Sequence, residues 1–223
     1  MRPSPLPRAC PLRPSLHCCQ AGAGQQSSES APSDVRRSVL RVAALLAAST
    51  TLDSQPGQAL PLAPLGEVRR VGGAKLTGLS AEQVKEVLAR DLAEGMYFVT
   101  GNLTREVFSD DCVFVDPTNE VTGLSKYLTA LGILFDPQWS KVELLDIRVA
   151  GSDRVEADWR LGGWLRSENF PWQPKVEPFQ GHTVYLLDKE GLVSKQEQTW
   201  GISALQALAQ TFTPVPGPKR QLF

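Results

Sequence analysis

Between Val142 and Ile202 the chain carries four segments with the alternation of half-buried β-strands, and this block limits the fold more than any other feature. Arg154 to Leu165 is the clearest of them. Val155, Ala157, Trp159 and Leu161 fall on one face, and Arg154, Glu156, Asp158 and Arg160 on the other. Val142 to Ala150 alternates Glu143, Leu145, Ile147 and Val149 against a mixed face, and Gly151-Ser152-Asp153 forms a hairpin-like turn between the two segments. Pro178 to Asp188 and Leu192 to Ile202 follow, joined by Lys189-Glu190-Gly191. The stretch Arg166 to Glu177, with Pro171, Trp172 and Pro174, reads as a lid-like loop.

Upstream the period changes from two to that of a helix. Ser80 is a good N-cap, and Gln83 completes a capping-box pattern. The spacing predicts one helix to about Val99, with Val84, Leu88, Leu92, Gly95 and Val99 in an apolar stripe, Asp91 at its edge and Tyr97 on the opposite side. Gly101 closes it, and Leu103 to Phe108 is a short turn. Phe108 to Leu134 then combines a strand at Cys112 to Val115, a sharp turn at Asp116-Pro117 and an amphipathic helix at Leu124 to Leu134. A final helix, Ser203 to Phe212, precedes a Pro/Gly tail. Helices first and hairpin-joined strands later make the class α+β, with helices packed on one face of a curved, mainly antiparallel sheet. The domain is expected at residues 80–214, with 215–223 as tail and the Pro/Gly-rich 60–79 as a linker or ordered arm.

Composition separates this body from residues 1–59. That segment holds six of the 23 basic residues and three of the 24 acidic ones, so the remainder carries 17 against 21, a net charge of −4. A weakly acidic body lacks the basic stripe that a nucleic-acid partner requires. Pro, Ser, Ala and Arg dominate up to residue 33, with no acid before Glu29, which predicts a plastid transit peptide. Arg36-Arg37, the apolar Val42 to Ala48 and the small residues Gly57-Gln58-Ala59 predict a second signal behind it, the bipartite arrangement of thylakoid-lumen proteins. Arg41 interrupts that apolar core, and a single-stage transit peptide, stromal or mitochondrial, is the other reading. Val42 to Ala48 is far shorter than the roughly 20 residues of a membrane span. With this segment removed, only Cys112 and His182 remain of their types, so neither an internal disulfide nor a Cys/His metal site is expected.

The element order, with Phe114-Val115-Asp116-Pro117-Thr118 and Gly123-Leu124-Ser125-Lys126-Tyr127, resembles the nuclear-transport-factor-2-like cone fold of SnoaL-type polyketide cyclases and ketosteroid isomerases. Tyr97-Phe98-Val99-Thr100-Gly101, Asp111-Cys112, Asp116-Pro117-Thr118-Asn119, Gly181-His182-Thr183-Val184-Tyr185 and Glu197-Gln198-Thr199-Trp200 resemble, more narrowly, an uncharacterised family of plant, algal and cyanobacterial proteins with that fold. In some plant chains of that family the domain sits beside a SOUL-type haem-binding domain. The resemblance implies a pocketed cone and no particular reaction, since the fold hosts enzymes and interaction domains alike.

Proton-shifting members of the superfamily use an inward carboxylate as base and a phenol or second acid beside it. The catalytic candidates on that reading are Asp91, Asp116 and His182, and the pocket candidates are Asp91, Trp159, Tyr185, Glu197 and Trp200. Each also has a structural reading. Asp116 before Pro117 suits an Asx-turn, Asp91 a core pairing with an Arg or an indole N–H, and His182 a hydrogen-bonded core position. Parity puts His182 and Tyr185 on opposite strand faces, and Cys112 reads as a small buried hydrophobe. The expectation is a plastid domain that binds a small hydrophobic molecule (tetrapyrrole, pigment or lipid) or a partner protein without catalysis and without an obligatory cofactor. An isomerase or cyclase is one alternative. A structural homodimer assisting thylakoid complex assembly is the other, paired through the charges of Arg154 to Arg160.

Overall fold

The computed structural model describes residues 60–61 and 67–223, so the expected targeting sequence at 1–59 lies outside the described residues. The strands are β1 (Leu60–Pro61), β2 (Phe108–Val115), β3 (Asn119–Thr122), β4 (Lys141–Gly151), β5 (Arg154–Trp164), β6 (Lys175–Leu187) and β7 (Val193–Trp200). The helices are α1 (Ala81–Ala93), the short α2 (Tyr97–Thr100), α3 (Leu124–Leu134) and α4 (Ala204–Phe212), with a 3-10 turn at Arg105–Val107. One seven-stranded sheet runs in the order β1-β3-β2-β7-β6-β5-β4. The pairs are antiparallel except β1 with β3 and β2 with β7. This is the expected α+β class, a curved and mainly antiparallel sheet with helices packed on it.

The first helix differs from its expectation. Ser80 caps it with the full reciprocal box, yet it stops at Ala93, where a single helix to Val99 was predicted. Gly95 is the reason. Its backbone lies so close to the carbonyls of Asn102 and Asp91 that no Cβ fits, and Met96 takes the left-handed conformation at φ 47°. The chain then restarts as α2 on a new axis. Tyr97, which the continuous helix would have pointed away from the core, is completely buried.

A 13-residue helix is marginal in isolation, so α1 is held by burial of Val84, Leu88 and Leu92, about 1.5–3 kcal/mol each. It packs mainly on β4, and α3 packs on β2. The inward residues of β5 are those the alternation named, Val155, Ala157, Trp159 and Leu161, all buried. Gly181 faces Trp159 across the β5–β6 pair, and the indole lies where its Cβ would be. A large ring on one strand is accommodated by a missing side chain on the next.

The sequence reading missed one strand and placed the start of another too late. Asp116 to Asn119 is a hairpin turn that returns the chain into β3, with Asp116 N–H donating to Asn119 O at 2.9 Å. β6 also begins at Lys175, which shortens the predicted loop at 166–177. The arm from residue 67 is tied to the domain: Val71 N–H donates to Asp110, Lys75 pairs with Asp110 at 2.9 Å, and Leu76 N–H donates to Glu106 O. The tail is tied down as well. Lys219 pairs with Asp136 at 2.7 Å, and the Trp164 indole donates to Arg220 O at 2.8 Å. Among the described residues no helix is long and apolar enough to cross a membrane.

Candidate functional site

The three tyrosines of the chain converge inside the cone. The hydroxyls of Tyr97 and Tyr185 are 2.7 Å apart, and Tyr97 donates to Gln196 Oε1 at 3.0 Å. Gln196 Nε2 donates to Tyr127 at 3.1 Å. Three different elements supply the phenols: α2 supplies Tyr97, α3 supplies Tyr127 and β6 supplies Tyr185, while Gln196 reaches in from β7. The Tyr127 ring stacks on Phe114 at 3.8 Å, which aims its hydroxyl inward. Beside this network Trp159 donates its indole N–H to Thr183 Oγ1 at 2.8 Å.

Burial raises the pKa of all three phenols, so they stay protonated at neutral pH and act only as hydrogen-bonding hydroxyls. Such buried groups are costly unless paired, and here they pair with one another. The arrangement fixes three elements around one amide. It leaves no phenolate to abstract a proton.

The charge of Asp91 contributes to the raised pKa of Tyr97 and Tyr185, as that of Asp116 does for Tyr127. Asp91 is 6% exposed. One oxygen accepts from Thr104 N–H at 2.6 Å and the other from the Thr104 hydroxyl at 2.9 Å. The partner is thus Thr104, where an Arg or an indole was expected. Burial raises the Asp91 carboxyl, and the Thr104 hydrogen bonds partly offset the rise. The carboxylate clasps the chain after α2 back onto α1.

The other predicted residues separate. Asp116 holds its own turn, with Oδ1 accepting from Thr118 N–H at 2.7 Å, Thr118 Oγ1 at 2.6 Å and Asn119 N–H at 2.9 Å. His182 lies on the outer face of the sheet, where the core position was expected, with Nδ1 2.7 Å from Asp158. Asp158 is held below the usual carboxylate range, chiefly by its hydrogen bond from Arg148. Glu197 also faces outward and pairs with Lys195. Trp159 and Tyr185 are buried inside, and Trp200 is half-buried at the end of an aromatic series. That series runs Phe98 to Trp159 at 5.1 Å, Trp159 to Phe179 at 5.7 Å and Phe179 to Trp200 at 5.8 Å. Next to its outer end lies α4, none of whose residues is buried, tied to the 166–174 loop by the Trp172 indole donating to Thr211 O.

Tyr97, Tyr127, Thr183 and Gln196 were missed by the sequence reading. A signal for Gln196 was present, because placing Trp200 inward puts Gln198 and Gln196 inward and Glu197 outward by strand parity. Cys112 is buried, and burial pushes its thiol far above its ordinary value, so it is inert. Among the described residues no three His, Cys, Asp or Glu side chains are grouped to hold a metal.

The family described as Uncharacterized conserved protein (DUF2358) matches residues 82–196. No curated relative matches the chain. Among solved structures, the chain is similar to a putative SnoaL-like polyketide cyclase from Jannaschia Sp. CCS1 at 20% identity, TM-score 0.47, covering 65% of this chain and 100% of that one. It is similar to Bal32a from a soil-derived mobile gene cassette at 16% identity, TM-score 0.46, covering 60% and 98%. A hypothetical protein with a ketosteroid isomerase-like fold from Catenulispora acidiphila DSM 44928 is similar at 18% identity, TM-score 0.42, covering 58% and 94%.

Proposed function

Given that the chain belongs to the DUF2358 family of uncharacterized conserved proteins, we propose that it is a non-catalytic binding domain of the plastid that takes up a small apolar molecule. One observation carries the reading: the polar groups inside the cone are spent on one another, while the aromatic series ends in half-buried rings beside α4. A general base needs a lone pair aimed at a substrate. Asp91 directs its oxygens at Thr104, and the phenols are held protonated. Rings such as Phe179 and Trp200 instead offer flat apolar area to a planar or polyene ligand. A tetrapyrrole, a pigment or a lipid has that chemistry. The acid-poor, Arg- and Ser-containing first 33 residues support the plastid address, and the twin-Arg segment supports the thylakoid lumen within it.

Isothermal titration of the purified chain with protoporphyrin IX, β-carotene and a galactolipid tests this reading. Saturable binding of one of the three is expected, weakened about tenfold in Trp200→Ala, a loss that corresponds to about 1.4 kcal/mol. Absence of saturable binding for all three would overturn it. Turnover of an enolisable ketone that disappears in Asp91→Asn would favour the isomerase reading instead.

A further inference from the structure

The tail sits on one end of the sheet as a bound peptide sits in a groove. Asp136 and Gln138 precede β4, Lys141 opens it, and Arg160, Gly162 and Trp164 lie in the last part of β5. Lys141 and Gly162 are partners in the β4–β5 ladder, and Arg160 stands two residues away from Gly162. At one end of the groove Lys219 pairs with Asp136 at 2.7 Å, both side chains largely shielded from water. The Trp164 indole then donates to Arg220 O at 2.8 Å, and Gln221 Nε2 donates to Gln138 O at 2.8 Å. At the other end the Phe223 ring lies on the bare backbone of Gly162, where an added Cβ would stand 3.1 Å from it. The Arg160 guanidinium is 4.3 Å and the Lys141 ammonium 5.3 Å from the ring centroid, both within cation–π reach.

These contacts read a pattern. The side chains of residues 219, 221 and 223 make them, with the two-residue period of an extended segment. The groove therefore selects a cation, an amide two residues later and an aromatic ring two residues after that. An acid at one end and two cations at the other fix the direction in which the segment lies.

Burial is not what holds the segment there, since no residue from 213 to 223 is buried. The link from α4 contains Pro214, Pro216 and Pro218, and Gly217 takes φ +98° with nothing within 4 Å of where a Cβ would be. Such a link is a tether that delivers residues 219–223 to the groove, at an effective concentration on the order of millimolar.

We propose that this groove is a peptide-docking site, closed by the chain's own residues 219–223 and opened to an extended segment of a partner protein with the same cation–x–amide–x–aromatic pattern. The partner competes with the tail. A groove filled about nine-tenths of the time by its own tail shows a free segment about one-tenth of its intrinsic affinity. The site shares no residue with the aromatic series beside α4.

The test is the fluorescence anisotropy of a labelled peptide of residues 218–223, Pro-Lys-Arg-Gln-Leu-Phe, titrated with the full chain. The full chain carrying Lys219→Ala and Phe223→Ala loosens the tail and leaves the groove intact, and it is expected to bind the peptide saturably. The wild type is expected to bind about tenfold more weakly. Adding Asp136→Lys to the loosened chain is expected to weaken binding about tenfold, and a peptide carrying Lys219→Glu is expected to restore it, which an unfolded variant could not do. No saturable binding to the loosened chain, equal binding by the wild type and the loosened chain, undiminished binding by Asp136→Lys, or a Lys219→Glu peptide that restores nothing would each overturn the proposal. None of these outcomes bears on uptake of an apolar molecule beside α4.

Discussion

Asp91 shows how one side chain can satisfy a sequence criterion for catalysis and still serve a structural purpose. It sits at the edge of an apolar helical stripe, as a general base in a cone would, but its two oxygens are committed to Thr104. Asp91→Ala would leave the partly buried Thr104 N–H without its partner, at an expected cost of about 1–3 kcal/mol in urea unfolding at pH 7. Asp91→Asn keeps the acceptor for that N–H and should cost less. The pH dependence has a defined sign. Burial raises the folded-state pKa, so the contribution of Asp91 to stability is fully present below its unfolded value near 3.9 and is lost as pH rises through the raised value. Unfolding measured from pH 4 to pH 7 should show that component in the wild type and lack it in Asp91→Asn. Equal pH profiles for the two would contradict this account of the burial.

At the scale of elements, the junction between α1 and α2 decides what the cone contains. Gly95 and Met96 break the helix, and Gly101 closes α2 at φ +72° with no atom nearer than 3.9 Å to an added Cβ. Gly101→Ala therefore isolates the backbone cost of the left-handed conformation and should destabilise by about 1–2 kcal/mol, read as a lower urea midpoint at an unchanged slope. An unchanged midpoint would mean that the turn relaxes to another conformation. The helix spanning 124–134, the hairpin strands and the last helix were legible because each is set by a local period. The break at Gly95 was not, because it arises from the close approach of Asn102, a contact that helical spacing does not encode. Tyr97 was misplaced for the same reason, and with it the centre of the polar network. β3 was missed because four residues are too few to show a period.

At the scale of the whole molecule, both ends of the described body are packed onto it. The arm from residue 67 hydrogen-bonds to Asp110 and Glu106, and the tail covers Trp164, which is 2% exposed. Removing residues 219–223 should uncover the indole of Trp164 and deprive its N–H of Arg220 O. The expected readings are a red shift of tryptophan emission and a loss of about 1–3 kcal/mol. An emission spectrum that does not move would show that the tail adds nothing to this end of the sheet. The sequence by itself determined the α+β class and the inward face of β5, and it offered the turn reading of Asp116 beside a catalytic one and read Cys112 as buried, because strand parity, helical spacing and local hydrogen bonding act over a few residues. Only the tertiary structure decided which polar groups share the interior. The parallel pairing of β2 with β7 and the fold-back after α1 bring Tyr97, Tyr127, Tyr185 and Gln196 to one point from distant parts of the chain. No local pattern records a meeting whose stability comes from excluding water around groups that satisfy one another.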